Sequence, residues 1–293
     1  MKTAFVFPGQ GSQSVGMGKG FAEKLLEQAN QILGFDLKKI VLEGPEEELI
    51  KTEIQQPAIF TVSVAALEES RKQKAELGTQ VAAVAGHSLG EYSALYSAGA
   101  ISFEDGVKTV HLRGKFMQAA VPAGEGAMAA LLGGDRDAII NICKGVGGVW
   151  PANFNSPGQI VISGKKSSVE AAGEKLKAAG VKKIIPLAVS APFHCPLMQP
   201  AADKLAIELE KITINDAKIP VYANVTAAPV KSGAEIKQLL VKQVTAPVLW
   251  EDSIKKMIAD GVTSFIEVGP GKVLTGLIKK TDPNVEVKSY VEA

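Results

Sequence analysis

The feature that most restricts what this chain can fold into is a short apolar run that ends in a glycine-flanked serine. Val81–Ala85 is a string of small and β-branched residues, and Gly86-His87-Ser88-Leu89-Gly90 follows at once. The run reads as a buried strand, and Gly-x-Ser-x-Gly placed after a strand and before a helix is the pattern of a nucleophile elbow. Glycine is needed two residues either side of the serine because the turn is sharp and side chains there would collide. The Ser88 Oγ is then held up at the end of a sheet, and the Leu89 N–H points toward an oxyanion from the helix N-terminus. The same five residues also fit an ordinary glycine-rich turn, so the chemical reading depends on partners elsewhere in the chain.

The surrounding sequence alternates strands and helices. Ala4–Phe7 reads as a strand that stops at Pro8 and a glycine-rich loop, followed by a helix over Lys19–Leu33. Pro57–Lys74 forms a second helix with Ile59, Val62, Ala66 and Leu67 on one stripe, and Ser102-Phe103-Glu104-Asp105 starts a third that runs to about Ala120. Further on come helix Pro200–Lys211, strand Ile219–Val225, helices Gly233–Gln243 and Asp252–Ala259, strand Thr263–Val268 and a last helix through Ile278. Such alternation predicts a mainly parallel sheet covered on both faces.

The middle of the chain follows another order. Strand Gly126–Leu132, helix Asp135–Lys144, strands Val149–Asn153 and Gln159–Ser163, helix Ser167–Ala179 and strand Lys182–Val189 give βαββαβ, the ferredoxin-like unit, bracketed by Pro122 and Pro192. The expected fold is α/β. An α/β-hydrolase-like large subdomain is built from 1–122 and 191–293, and a ferredoxin-like small subdomain is inserted at 123–190.

Composition narrows the function. Hydrophobic residues are 46% and charged residues 22% of 293, an ordinary globular balance, and a net charge of +1 offers no bulk attraction to nucleic acid or an anionic membrane. Cys143 and Cys195 make no disulfide framework, and His87, His111 and His194 lack metal-ligand spacing, so no metal is expected. The start Met1–Pro8 is too short for a signal peptide and no stretch is long and apolar enough to span a bilayer, which makes a reducing cytoplasm the expected compartment.

A serine nucleophile needs a base. His87 belongs to the elbow and points elsewhere, and His111 sits on a helix between Val110 and Leu112. His194 lies in Ser190-Ala191-Pro192-Phe193-His194-Cys195-Pro196, a proline-punctuated exit from a predicted strand, where sites of such sheets gather. It is the candidate base, with a structural histidine as the alternative. Phe7-Pro8-Gly9-Gln10-Gly11-Ser12-Gln13 also leaves a strand. It lacks Gly-x-Gly-x-x-Gly and a Walker lysine, and the Gln10 N–H suits a second oxyanion donor better than a phosphate cradle. Gly269-Pro270-Gly271-Lys272 likewise fails the P-loop pattern and reads as structural.

Together these stretches resemble the malonyl-CoA:acyl carrier protein transacylase family along nearly the whole chain. The match runs through the Gln10 loop, Gly86–Glu91, Arg113-Gly114 with Met117-Gln118, Asn155-Ser156-Pro157-Gly158-Gln159, the His194 segment and Glu267–Leu274. The resemblance implies a ping-pong transfer with no metal or tightly held cofactor. Ser88 would take malonyl from malonyl-CoA with His194 as base and then acid, and the phosphopantetheine thiol of acyl carrier protein would receive it. It further implies an oxyanion hole from the Gln10 and Leu89 N–H groups, and a backbone carbonyl at Gln243 that orients His194. Arg113, with its planar fork, would grip the free malonyl carboxylate, while Met117, Asn155 and Phe193 would also line the acyl site. The Phe193 ring would disfavour a branched malonyl unit. Three alternatives stay open at this point: a serine hydrolase with the same elbow, a free-standing acyltransferase of a polyketide synthase, and a non-enzymatic carrier-docking subunit.

Overall fold

Alternation along the first strand settles which faces of the main sheet are covered. In the computed structural model, which describes residues 2–75, 81–189 and 191–290, β1 (Thr3–Phe7) is buried along its whole length. Phe5 and Phe7 enter one apolar cluster, and Ala4 and Val6 enter another on the opposite face. A period of two does this to any strand with layers on both sides.

Helices α1 (Glu23–Leu33), α2 (Leu37–Glu43), α3 (Glu46–Leu49) and α4 (Thr52–Ala75) lead to β2 (Val81–Gly86), α5 (Gly90–Ser97) and α6 (Phe103–Ala119). The middle stretch contains β3 (Gly126–Leu132), α7 (Arg136–Val146), β4 (Val149–Ser156), β5 (Gln159–Lys165), α8 (Lys166–Ala178) and β6 (Lys183–Pro186). Then come α9 (Gln199–Glu210), β7 (Val221–Ala223), β8 (Ala228–Val230), α10 (Gly233–Thr245), α11 (Trp250–Ala259), β9 (Ser264–Val268), α12 (Val273–Thr281) and β10 (Glu286–Tyr290).

The main sheet has the order β10-β9-β1-β2-β7-β8, with every pairing parallel except β7 with β8. Phe7 stands opposite Gly86, and Ala85 opposite Tyr222. The loops that follow β1, β2 and β7 therefore leave the same edge side by side. A separate antiparallel sheet, β4-β5-β3-β6, packs Leu131, Ile160 and Ile162 against Ile139 of α7 and Leu176 of α8.

Two joints tie the sheets together. The segment after α10 runs parallel to β4, with the Phe154 N–H donating to the Val248 carbonyl and the Val248 N–H to that of Ala152, each at 2.9 Å. Arg136 of α7 forks onto Asp252 of α11 at 2.8 and 2.7 Å, with its guanidinium 4.0 Å from the Phe154 ring centroid.

Several elements depart from the sequence expectation for physical reasons. The long helix expected to begin at Pro57 begins at Thr52 and carries Pro57 inside it. An interior proline cannot serve the carbonyl four residues back. Here that carbonyl, of Glu53, accepts the Nδ1–H of His111 at 2.8 Å. Gly114 allows the approach, since a Cβ there would stand 2.5 Å from the Thr52 carbonyl oxygen. The first helix starts at Glu23 and not Lys19, because Gly18 and Gly20 hold left-handed backbone with φ of 77° and 96°. β6 ends at Pro186 rather than Val189, although the Leu187 N–H still donates to the Met128 carbonyl. α2, α3, β8 and β10 were not anticipated; they are short, and β10 is an edge strand of mostly half-buried residues without a clear period of two. Among the described residues no helix is long and apolar enough to cross a membrane, and no cluster could hold a metal ion.

Candidate active site

Ser88 sits where β2 turns into α5, with φ at 51°. A side chain seldom tolerates that conformation, and strain of this kind gathers at functional turns. The flanking glycines make the turn sterically feasible. A Cβ at Gly86 would lie 1.9 Å from the Gly90 carbonyl, and one at Gly90 would lie 2.1 Å from the Phe7 oxygen. Asn224, just past β7, clamps the turn: its Oδ1 accepts the Ser88 N–H and its Nδ2 donates to the Gly86 carbonyl, both at 2.7 Å.

The Ser88 Oγ lies 2.7 Å from Nε2 of His194, which itself holds φ at 57°. On the other side of the ring, Nδ1 is 2.8 Å from the Gln243 carbonyl oxygen. A carbonyl can only accept, so Nδ1 carries the proton and Nε2 offers its lone pair to the serine hydroxyl. Burial, helped by the nearby Arg113 charge, pushes the His194 pKa down to about 3. The imidazole is therefore neutral at ordinary pH and able to take a proton. Ser190, which opens the His194 segment, lies outside the described residues.

Arg113 projects from α6 and is completely buried. Its Nη1 donates to Gln56 Oε1 at 2.8 Å, and its Nη2 donates to Ser88 Oγ and Gln243 Oε1, each at 3.0 Å. Burial lowers its pKa, though a guanidinium stays charged in proteins. Among the described residues no carboxylate lies within ion-pair distance of it, and its Nε has no hydrogen-bond partner. A buried cation with only neutral partners is costly unless something anionic joins it.

The remaining expected residues fall at different distances from the chemistry. Leu89 is buried at the head of α5 and Gln10 follows β1, which the register places beside β2. No intramolecular hydrogen bond occupies either N–H among the described residues. The Gln10 side chain donates to Gln55 Oε1. Phe193 lines a cleft of about 770 Å³ that also exposes Gln10, Gln55, Lys51, Leu187 and Val189. Met117 stands one turn along α6 from Arg113, its Sδ 4.0 Å from Gln56 Nε2. Asn155 reaches the elbow through His87, whose Nε2–H donates to Asn155 Oδ1 at 2.8 Å. Burial keeps the His87 pKa low, and its ring packs near that of Trp250.

Sequence reasoning missed Gln56, Glu91 and Asn224 as members of this group. Glu91 directly follows the elbow and could have been noticed for that. Gln56 and Asn224 carry no local signal, since one acts from the first turns of α4 and the other from a loop 136 residues after Ser88.

Comparison with known proteins gives a consistent result. A family model described as an acyl transferase domain matches residues 4–291. The malonyl CoA-acyl carrier protein transacylase of Bacillus subtilis (strain 168) is 50% identical over 291 residues, covering 96% of this chain and 90% of that protein. The protein of the same name from Escherichia coli (strain K12) is 51% identical over 286 residues, covering 94% and 92%. A crystal structure of an acyl carrier protein S-malonyltransferase from Vibrio cholerae O1 biovar eltor is similar with a TM-score of 0.95 at 45% identity, covering 100% of this chain and 98% of that one.

Proposed function

The chain belongs to the acyl transferase domain family, and we propose that it moves a malonyl group from malonyl-CoA to the phosphopantetheine thiol of acyl carrier protein through a malonyl-Ser88 ester, supplying extender units for fatty acid synthesis. The observation that carries this reading is the buried Arg113 fork, 3.0 Å from the Ser88 Oγ and, among the described residues, without an anionic partner at ion-pair distance. In a malonyl group the free carboxylate is separated from the reacting carbonyl by a single methylene. A cation this close to the nucleophile suits that acyl chain.

The geometry supports the following steps. Ser88 Oγ attacks the thioester carbon as its proton passes to His194 Nε2. The N–H groups of Leu89 and Gln10 hold the oxyanion that forms. Collapse breaks the carbon–sulfur bond, His194 returns the proton to the leaving coenzyme A thiolate, and malonyl-Ser88 remains. The carrier's thiol then gives its proton to His194 and attacks the ester, and the proton returns to Ser88 as the new thioester departs. The Gln243 carbonyl stands where a triad would place an aspartate. It fixes the ring but stabilises the imidazolium less, which suffices for an activated thioester. Phe193, Met117 and Asn155 complete the acyl site, Phe193 by crowding an extra methyl, worth about 1–3 kcal/mol of preference.

The chain divides, in this reading, into a hydrolase-like unit of 1–122 with 191–293 and a ferredoxin-like unit of 123–190. The elbow after a parallel strand supports the first label. The order β4-β5-β3-β6 with α7 and α8 supports the second. Free, buried Cys143 and Cys195 fit a reducing cytoplasm.

Mixing the protein with malonyl-CoA, quenching in acid and measuring the intact mass tests the mechanism. A malonyl adduct on wild type but not on Ser88→Ala, discharged by acyl carrier protein, is expected. Free malonate without an adduct would indicate a hydrolase instead.

A further inference from the structure

Among the buried titratable groups that the mechanism above does not use, Glu91 lies against the site itself. Glu91, in the first turn of α5, is almost wholly buried. Its Oε2 accepts the Asn224 N–H at 3.0 Å and the Gln243 Nε2–H at 2.9 Å. Both partners in turn bond other residues of the site. Asn224 clamps Ser88 and Gly86, while Gln243 bonds five residues, Glu91, Ser88, Asn224, Arg113 and His194. Its Nε2 also donates to the Ser88 carbonyl at 3.0 Å, its Oε1 accepts from Arg113, and its backbone carbonyl accepts from His194.

The orientation of the Gln243 amide is fixed by this environment. Nε2 faces three oxygens, those of Glu91, Ser88 and Asn224, and Oε1 faces a guanidinium. A flipped amide would set oxygen against oxygen and N–H against N–H. Glu91 supplies the only carboxylate in that set of acceptors, and hydrogen bonds to charged acceptors are the stronger ones.

We propose that Glu91 is a positioning residue for acyl transfer: through Asn224 and Gln243 it holds the elbow, the carbonyl that orients His194, and the Arg113 fork in one register. The base and the carboxylate grip are thereby set by a single buried carboxyl. Burial raises the Glu91 pKa to about 7 while its two N–H donors oppose that rise, so the donors and the carboxylate stabilise one another. Facing it are the Arg113 charge from α6 and the neighbouring Tyr92 phenol.

The proposal rests on the acyl-transfer reading for its substrate, so the test uses two reactions. One is Ser88 loading from malonyl-CoA; the other is Ser88 labelling by a fluorophosphonate, which needs the Ser–His pair but neither malonyl nor carrier. Glu91→Leu is expected to fold and to lose on the order of 10²-fold in both rates at saturating reagent, the scale of a misplaced group acting at a distance. Glu91→Gln keeps an acceptor oxygen and should recover most of the loss. If Glu91→Leu fails to fold, Glu91→Asp, which withdraws the carboxylate by one methylene, should slow both reactions roughly tenfold. Wild-type rates per folded molecule, with only the melting temperature lowered, would overturn the proposal. So would equal losses in Glu91→Leu and Glu91→Gln, or a loss confined to malonyl loading. A wild-type protein that is labelled but never loaded would instead overturn the acyl-transfer reading and leave the labelling test of Glu91 standing.

Discussion

The core of the antiparallel sheet and the carboxyl edge of the parallel sheet bury their side chains by opposite rules. Between the antiparallel sheet and helices α7 and α8 the contacts are apolar, from Leu131, Ile139, Ile160, Ile162, Val169 and Leu176. At the carboxyl edge of the parallel sheet Ser88, Glu91, Arg113, His194, Asn224 and Gln243 are all buried, and each is hydrogen-bonded to another of the group. The first kind of core is stabilised by area removed from water and tolerates exchange of similar shapes. The second is stabilised only if each donor meets an acceptor, so its members act as a unit. Stability and chemistry should therefore respond to different substitutions.

The sharpest separation is expected at the proposed nucleophile. Ser88→Ala should lower acyl transfer by at least about 10⁴-fold, read as loss of the malonyl adduct, with no loss of melting temperature. Ser88→Gly should be equally inactive yet more stable by about 1 kcal/mol, because glycine accepts the positive φ freely. Next, Arg113→Ala should weaken malonyl loading by roughly 10²–10³-fold, the cost of leaving the substrate carboxylate without its buried partner. Acetyl loading should hold or rise, and equal loading of malonyl by the mutant and wild type would remove Arg113 from the specificity argument.

In the other core, Leu131→Ala should cost about 2–5 kcal/mol in denaturant unfolding and leave the single-turnover rate of the folded fraction unchanged. A slowed chemical step there would break the separation between the two regions.

A smaller effect concerns pH. The folded His194 pKa is depressed to about 3 from 6.5, so the neutral base persists as the solution is acidified. An unshifted histidine would lose about 30-fold of its base form by pH 5; single-turnover loading of Ser88 should show no such limb. The same shift makes the unfolded chain bind a proton that the folded chain refuses, so this contribution to stability is present above pH 6.5 and is lost as pH falls toward 3. Smallest of all, His111→Phe should cost about 1 kcal/mol by leaving the Glu53 carbonyl unpaired behind Pro57, measured by thermal unfolding, with activity retained.

The elbow was legible because its requirements are local. Gly86, Ser88 and Gly90 must be near one another in sequence for the turn to close, and a strand must precede them. The strand and helix order of the middle stretch was legible for the same reason, since periodicity and glycine or proline stops lie within each element. Pro57 shows where local reasoning fails. Its rule for a helix start is sound in isolation, and it was overridden by a histidine from α6 that supplied the missing donor. The left-handed Gly18 and Gly20 delayed α1 in a way that composition alone did not reveal.

Residue order alone determined the alternation of elements, the buried strand β1, the strained serine turn and the presence of a candidate base on a strand exit. The tertiary structure decided which groups meet. Parallel register brings the Gln10 loop beside Ser88, close packing of α6 on α4 at Gly114 sets Gln56 against Arg113, and α10 delivers Gln243 to His194, Arg113 and Ser88 together. The reason is physical. A turn or a helix is chosen by neighbours in the chain, whereas a hydrogen bond across 57 or 155 residues exists only once the core has closed and excluded the water that would otherwise compete for it.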